Sequence, residues 1–286
     1  MQEGDQAWLI GEAAFSLRAL GRLGEALEPM RAGAEMGVRQ EDWKNAASGY
    51  SNLSELELSL GRTQEAVADA KRSVAYADRS GDAFQRISKR STLADARHQA
   101  GEIEAARKSF VEAESLQAKD QPDYPLLYSL QGFQYCDLLL AGAERAVWVG
   151  IYSDKGARLT ADVGINSDPR ALAKRAAPTL AWAEMNDMDK LSAALDHLTL
   201  ARCALYADLL QGRPPGAEAQ SQTETAVAGL RAAGDQTYIS LGLLTRARLF
   251  RDRSQLTQAR ALIQDCGYGR RLPELEDAEA AARDWA

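Results

Sequence analysis

Apolar and small residues recur along most of this chain at three- and four-residue intervals, the spacing of a helix face packed on a core. Stretches such as ISKRSTLADARHQ and AARKSFVEAESL show it plainly. Superimposed on that short period is a long one. Gly21, Gly61 and Gly101 stand forty residues apart, in the settings ALGR, SLGR and QAGE, and Ala26, Ala66 and Ala106 follow five residues after each. A helical stretch precedes each glycine and another follows it. Each repeat therefore reads as a first helix, a tight turn at glycine, and a second helix. Small residues at fixed points allow the two helices to approach closely.

The junctions between repeats carry their own punctuation. In AYADRSGDAF, Gly81 suits the left-handed position that ends a helix, and Asp82 suits the cap of the next, with Gln85 at capping-box spacing. RAAGDQTY repeats this grammar with Gly234 and Asp235. Trp43, Phe84 and Tyr124 fall just inside successive first helices and are expected to be core aromatics between repeats rather than ligand platforms.

The later repeats are less regular. YPLLYSLQGFQYCDLLL reads as a fourth first helix ending at Gly142, and RALAKRAAPTLAWAE as its partner, with Pro178 either kinking it or marking a late start. Between them AVWVGIYSDKGARLTADVGINSDP, residues 146–169, breaks the helical pattern. It reads as an irregular insertion, either a small β-hairpin or a short helical extension followed by a loop. KLSAALDHLTLARCALYADLL, a break at QGRPPG and a helix ending at Gly234 make the fifth repeat. YISLGLLTRARLFRDR and LTQARALIQDC make the sixth, with Ser254 where glycine stood before, and ELEDAEAAARDWA reads as a capping helix. The expected organisation is one domain over 1–286: regular repeats over 1–145, the insertion, then degenerate repeats and the cap over 170–286.

Composition supports an all-α chain, since 52 of its 286 residues are alanine, the best helix former and a poor strand residue. A formal charge of −7 and a pI near 5.1 disfavour a nucleic-acid partner, which needs a basic face. No apolar run is long enough to span a membrane, and the first residues lack the pattern of a secretory signal. Three widely spaced cysteines, Cys136, Cys203 and Cys266, fit buried thiols in a reducing compartment, so a cytoplasmic location is expected.

The sequence offers no catalytic signature. His98 and His197 are the only histidines, and neither lies in HExxH or beside CxxC, so neither a metal site nor any other cofactor is expected. There is no GxSxG elbow, and no GxxxxGK[ST] to cradle a nucleotide. Charges at usually apolar repeat positions are more informative. Arg90 occupies the place of Ile10 and Tyr50, while Glu57 and Arg97 both occupy the place of Leu17. Because equivalent positions on stacked helices are neighbours, Glu57 and Arg97 are expected to pair between repeats. Lys71, Arg72, Arg79, Arg86 and Lys89 gather near one junction and read as a solvated face.

The helix–Gly–helix units resemble tetratricopeptide repeats. With Gly21, Gly61 and Gly101 set on that family's turn glycine, Ala14 and Ala26, Ser54 and Ala66, and Ala94 and Ala106 fall on its small-residue positions, and Ala247 with Ala259 follow in the sixth repeat. Two departures stand out: the period is forty rather than the family's 34, and the proline between repeats is missing. NLSELELSLG, GDAFQR, TLADARHQAG, YPLLYSLQGFQYCDLLL and ALDHLTLARCALY are similar to segments of bacterial STAND regulators, which join a NACHT or NB-ARC ATPase to such repeats; the likeness covers roughly residues 45–265.

This resemblance implies a right-handed α-α superhelix of about six hairpins plus the C-terminal cap. It implies a non-enzymatic scaffold for a protein or peptide, probing the cell as the sensor part of a regulator whose ATPase domain lies elsewhere in a longer chain. The abrupt entry into the first helix fits a fragment of that kind. By the family's geometry the first helices line the concave face, which assigns Ser51, Glu55 and Leu58, then Ser91, Asp95 and His98, to binding. Tyr128, Gln131 and Tyr135, and Asp196, Thr199 and Arg202, follow from the fourth and fifth repeats. Acids in this set favour basic or polar partners over a C-terminal carboxylate. The alternative is a small-molecule sensor with its pocket near Tyr128, Gln131, Tyr135, Asp196 and His197.

Overall fold

The computed structural model describes residues 22–152, 168–185 and 190–285, with 13, 14, 16, 17 and 20 ahead of them. These residues form an all-α protein. In chain order the helices are α1 (Leu23–Arg39), α2 (Trp43–Ser59), α3 (Thr63–Ser80), α4 (Ala83–Gln99), α5 (Ile103–Asp120), α6 (Ser129–Tyr152), α7 (Pro169–Met185), α8 (Lys190–Leu209), α9 (Ala217–Ala233), α10 (Gln236–Phe250), α11 (Arg253–Asp265) and α12 (Leu272–Ala281). Among the described residues no helix is long and apolar enough to cross a membrane. The chain divides into two compact units, Met1–Leu127 with Ile263–Arg270, and Tyr128–Leu262 with Arg271–Ala286.

In the first unit every helix from α1 to α5 packs on the next, and α2 also packs on α4. Leu58, Ala66, Val67, Ala70, Leu93 and Ala96 form a shared core of α2, α3 and α4. The glycine turns repeat atom for atom. Gly61 and Gly101 take the left-handed conformation, φ 78° and 81°. The amide that follows each one reaches back five residues, Arg62 N to Glu57 O and Glu102 N to Arg97 O, both at 2.8 Å. That is the hydrogen bond that closes a helix whose C′ residue is left-handed, where only glycine avoids a Cβ clash.

Small residues sit where helices touch. Ala26, Ala66, Ala94, Ala106, Ala247 and Ala259 have no exposed surface. Ser54 donates from α2 to the Ala66 carbonyl of α3 at 2.9 Å. A Cβ at Gly49 of α2 would lie 2.9 Å from the Ala34 Cβ of α1, so that contact admits nothing larger. The junction grammar also holds. Gly81 and Gly234 are left-handed C-caps at φ 70° and 76°, and Asp82 and Asp235 accept from the first-turn amides of α4 and α10.

In the second unit α8 lies against α6, α7 and α9, over a core of Cys136, Leu140, Ala143, Val147, Leu172, Cys203, Leu205 and Tyr206. Several expectations need correction here. The fourth first helix starts at Ser129 rather than Tyr124, because the preceding stretch is tied to α5 instead: Gln117 donates to the Tyr124 carbonyl and the Leu127 amide donates to Glu114, both at 3.0 Å. It does not end at Gly142 but runs to Tyr152, kept helical by the buried Leu140, Ala143 and Val147. The first residues of the 146–169 stretch are therefore helix, and the turn at Ser153–Gly156 lies outside the described residues. Pro178 sits inside α7, which begins at Pro169. In the sixth repeat the left-handed residue is Arg251, φ 51°, and Ser254 already belongs to α11. Cys266 is partly exposed, unlike Cys136 and Cys203.

Candidate functional site on the first-helix faces

Forty-residue equivalence extends to side-chain contacts. Arg90, buried on α4, donates to Asp78 of α3 at 2.9 and 3.0 Å and to Glu112 of α5 at 2.6 Å, so it ties together the two helices flanking its own. Tyr50, at the same position of α2, is stacked on Tyr76 with centroids 5.6 Å apart, and Arg72 lies over its ring. One position thus carries an aromatic wedge in one repeat and an ionic one in the next.

Glu57 and Arg97 do not pair with each other. Both point from their first helix to the following second helix, and to equivalent residues there. Arg97 donates to Ser109 of α5 at 2.7 Å, and Glu57 faces Asp69 of α3, forty residues before Ser109. Arg31 of α1 serves both acids, at 3.0 Å from Glu57 and 3.5 Å from Asp69. Burial, and then the Asp69 charge, push the Glu57 carboxyl up to about 7. The contact between first helices is made instead by Ser51 with Thr92 at 3.1 Å and by Ser48 with Gln85 at 3.4 Å.

The expected binding residues divide by accessibility. Ser51, Leu58, Ser91 and Asp95 are buried in the packing, with Ser91 donating to the Ile87 carbonyl. Glu55 and His98 keep part of their surface. Lys89 is buried near Glu55, and that burial lowers its pKa. The basic group expected to form a solvated face is largely engaged. Arg79 lies over Trp43 at 3.6 Å, Arg72 binds Asp69 and Arg86 binds Asp78, while Lys71 is exposed. Phe84 is not a core aromatic; it is 61% exposed, one residue out of step with Trp43 and therefore turned about 100° around the helix.

In the second unit Tyr128, Gln131 and His197 are partly exposed, and Tyr135, Asp196, Thr199 and Arg202 are buried. Tyr128 meets Trp182 edge to face, Arg175 lies 4.7 Å from the Tyr135 ring centroid, and His197 contacts Gln222 at 2.7 Å. Thr199 donates to the Leu195 carbonyl. Arg202 is the centre of an ionic chain, 2.6 Å from Asp137 and 2.7 Å from Glu144, which in turn holds Arg248 at 2.9 Å. Burial works against the Arg202 charge, but Glu144 and Asp137 together raise its pKa well above the usual value. The sequence reading missed Asp137, Glu144 and Arg248, which lie on three different turns of two distant helices. Asp196 is different: Thr179 donates to one carboxylate oxygen at 2.9 Å, and the other is buried without a partner. Burial pushes this carboxyl up to about 7 against the opposing pull of Thr179.

Chemically, these faces offer hydrogen-bonding and charged side chains. Among the described residues no group of three or more histidines, cysteines or acids could hold a metal ion. The Cys203 thiol lies in the core, where burial and the neighbouring Cys136 raise its pKa and disfavour a thiolate. No protein-family model matches the chain, and no curated protein matches it.

Proposed function

We propose that the chain is a tetratricopeptide-type array, a right-handed superhelix of about six hairpins with a capping helix, that binds a protein or peptide and performs no reaction of its own. In this reading it is the sensor part of a larger cytoplasmic STAND-type regulator and passes binding on to an ATPase domain in the same full-length chain. The observation that carries the repeat reading is the recurrence of contacts at the forty-residue step, Glu57 facing Asp69 and Arg97 facing Ser109. The accessible Glu55 and His98 then make a polar, partly acidic first-helix face that suits a basic or polar segment.

The test is selection of a displayed peptide library on the immobilised full chain. Enriched peptides should bind the native chain and lose about tenfold in affinity to the Glu55→Lys, His98→Glu double variant. Absence of enrichment, or equal binding to the double variant, would contradict the reading. A small-molecule sensor is favoured by one observation, the unpartnered oxygen of Asp196 beside Thr179. It requires a metabolite that raises the melting temperature of the native chain but not of Tyr135→Ala.

A further inference from the structure

Repeats two and three enter their first helices identically. Asp42 and Asp82 cap α2 and α4, accepting from the amides of Asn45 and Gln85 at 3.1 and 3.0 Å. The next residue in each begins the helix: Trp43 in one repeat, Ala83 in the other. The forty-residue step also carries Tyr76 to Leu116 and Arg79 to Lys119, near the ends of α3 and α5.

In repeat two the space between these helix ends is filled. The Trp43 indole stacks on Tyr76, with centroids 5.9 Å apart and planes 8° from parallel, and the Arg79 guanidinium lies over its ring at 3.6 Å. In repeat three Ala83 supplies no ring. A groove of about 240 Å³ opens there, lined by Ala83, Arg86, Ile87, Leu116, Lys119 and Asp120. Phe84 cannot close it, because it occupies the register of Lys44, which is likewise directed outward.

We propose that this groove is a docking site for an aromatic side chain of a partner segment, seated against Ile87 and Leu116 and covered by Lys119 as Arg79 covers Trp43. The occupant's chemistry follows from two observations. The molecule itself places an indole beneath a cation at the equivalent position, the arrangement by which a ring face attracts a cation. The rim also carries an unused cation: Lys119 is exposed and makes no ion pair among the described residues, while Arg86 is taken up by Asp78 and the lining holds one acid, Asp120. An aromatic residue flanked by carboxylates satisfies both. This surface is separate from Glu55 and His98, so it stands or falls independently of the peptide reading of the first-helix face.

The experiment uses the full chain, methyl-labelled at alanine, isoleucine and leucine, titrated with acetyl-Glu-Trp-Glu-amide and with N-acetyl-tryptophanamide. Both probes should shift the methyl resonances of Ala83, Ile87 and Leu116 in a saturable way. Lys119→Glu should weaken the charged probe roughly three- to tenfold and the neutral one less. Ala83→Trp should fill the groove from within, leave the melting temperature unchanged or higher, and abolish both sets of shifts. The proposal is overturned if neither probe moves those methyls, if Lys119→Glu affects both probes equally, or if Ala83→Trp unfolds the chain. It is also overturned if the same shifts arise without probe on raising protein concentration, since the occupant would then be a second copy.

Discussion

Asp196 shows how one side chain can set a pH dependence. It is a buried aspartate on which no charged group acts among the described residues, so burial disfavours its anion and moves its pKa from 3.8 to about 7. The folded chain therefore holds this proton more tightly than the unfolded one. Its stabilising contribution is complete below about pH 4, drains away as pH rises toward 7, and is absent above that. Asp196→Asn should melt close to the native protein at pH 4.5 but about 5–10 °C higher at pH 8, measured as the difference between the two proteins at each pH. A difference that does not change with pH would contradict this. Glu57→Gln should shift stability in the same direction between about pH 4.5 and 7. Its effect should be smaller, because Arg31 at 3.0 Å partly supports the charged form.

At the scale of helices and turns, two substitutions probe what holds the elements in place. Arg202→Ala removes the buried guanidinium shared by Asp137 and Glu144 in the second unit, leaving Glu144 to Arg248 alone, and should cost about 3–5 kcal/mol in denaturant titrations. Arg251→Gly should do the opposite, since Arg251 occupies the left-handed turn position that glycine fills at 61 and 101. A gain of about 0.5–1.5 kcal/mol is expected, with no change in helical content.

This is also the scale at which the sequence was most and least informative. Caps and turns are local, so Gly81 with Asp82 and Gly234 with Asp235 could be read from adjacent letters, and small residues at fixed spacing marked the helix contacts correctly. A repeat step reveals which positions are equivalent but not which ones touch. That is why Glu57 and Arg97 seemed to be partners, when each actually faces its own second helix. Gly142 reads as a stop because glycine disfavours helix, but it does so by only about 1 kcal/mol, and burial of Leu140, Ala143 and Val147 outweighs that. Glu144 and Arg248 are 104 residues apart, and no local pattern links them. Of the candidate binding residues, type and helix were legible; burial was not, because small and polar residues such as Ser51, Ser91 and Thr199 are as compatible with a close helix contact as with an exposed face.

At the scale of the whole molecule, the chain carries a charge of −7, no cluster of metal-binding side chains among its described residues, and buried core thiols at Cys136 and Cys203. Its buried arginines hold helices together, Arg90 in the first unit and Arg202 in the second. The alanine-rich composition matches this use, since alanine is what the contacts at 26, 66 and 106 admit. Under the proposed peptide-binding reading, specificity comes from what remains accessible, which puts Glu55 and His98 at the centre of the account. The most direct measurement is a calorimetric titration of a selected peptide into the native chain and into Glu55→Lys, at low and at moderate salt. The account predicts about tenfold weaker binding to the variant, and native binding that weakens with salt as interactions with a partly exposed carboxylate do. Binding that ignores both the substitution and the salt would contradict it.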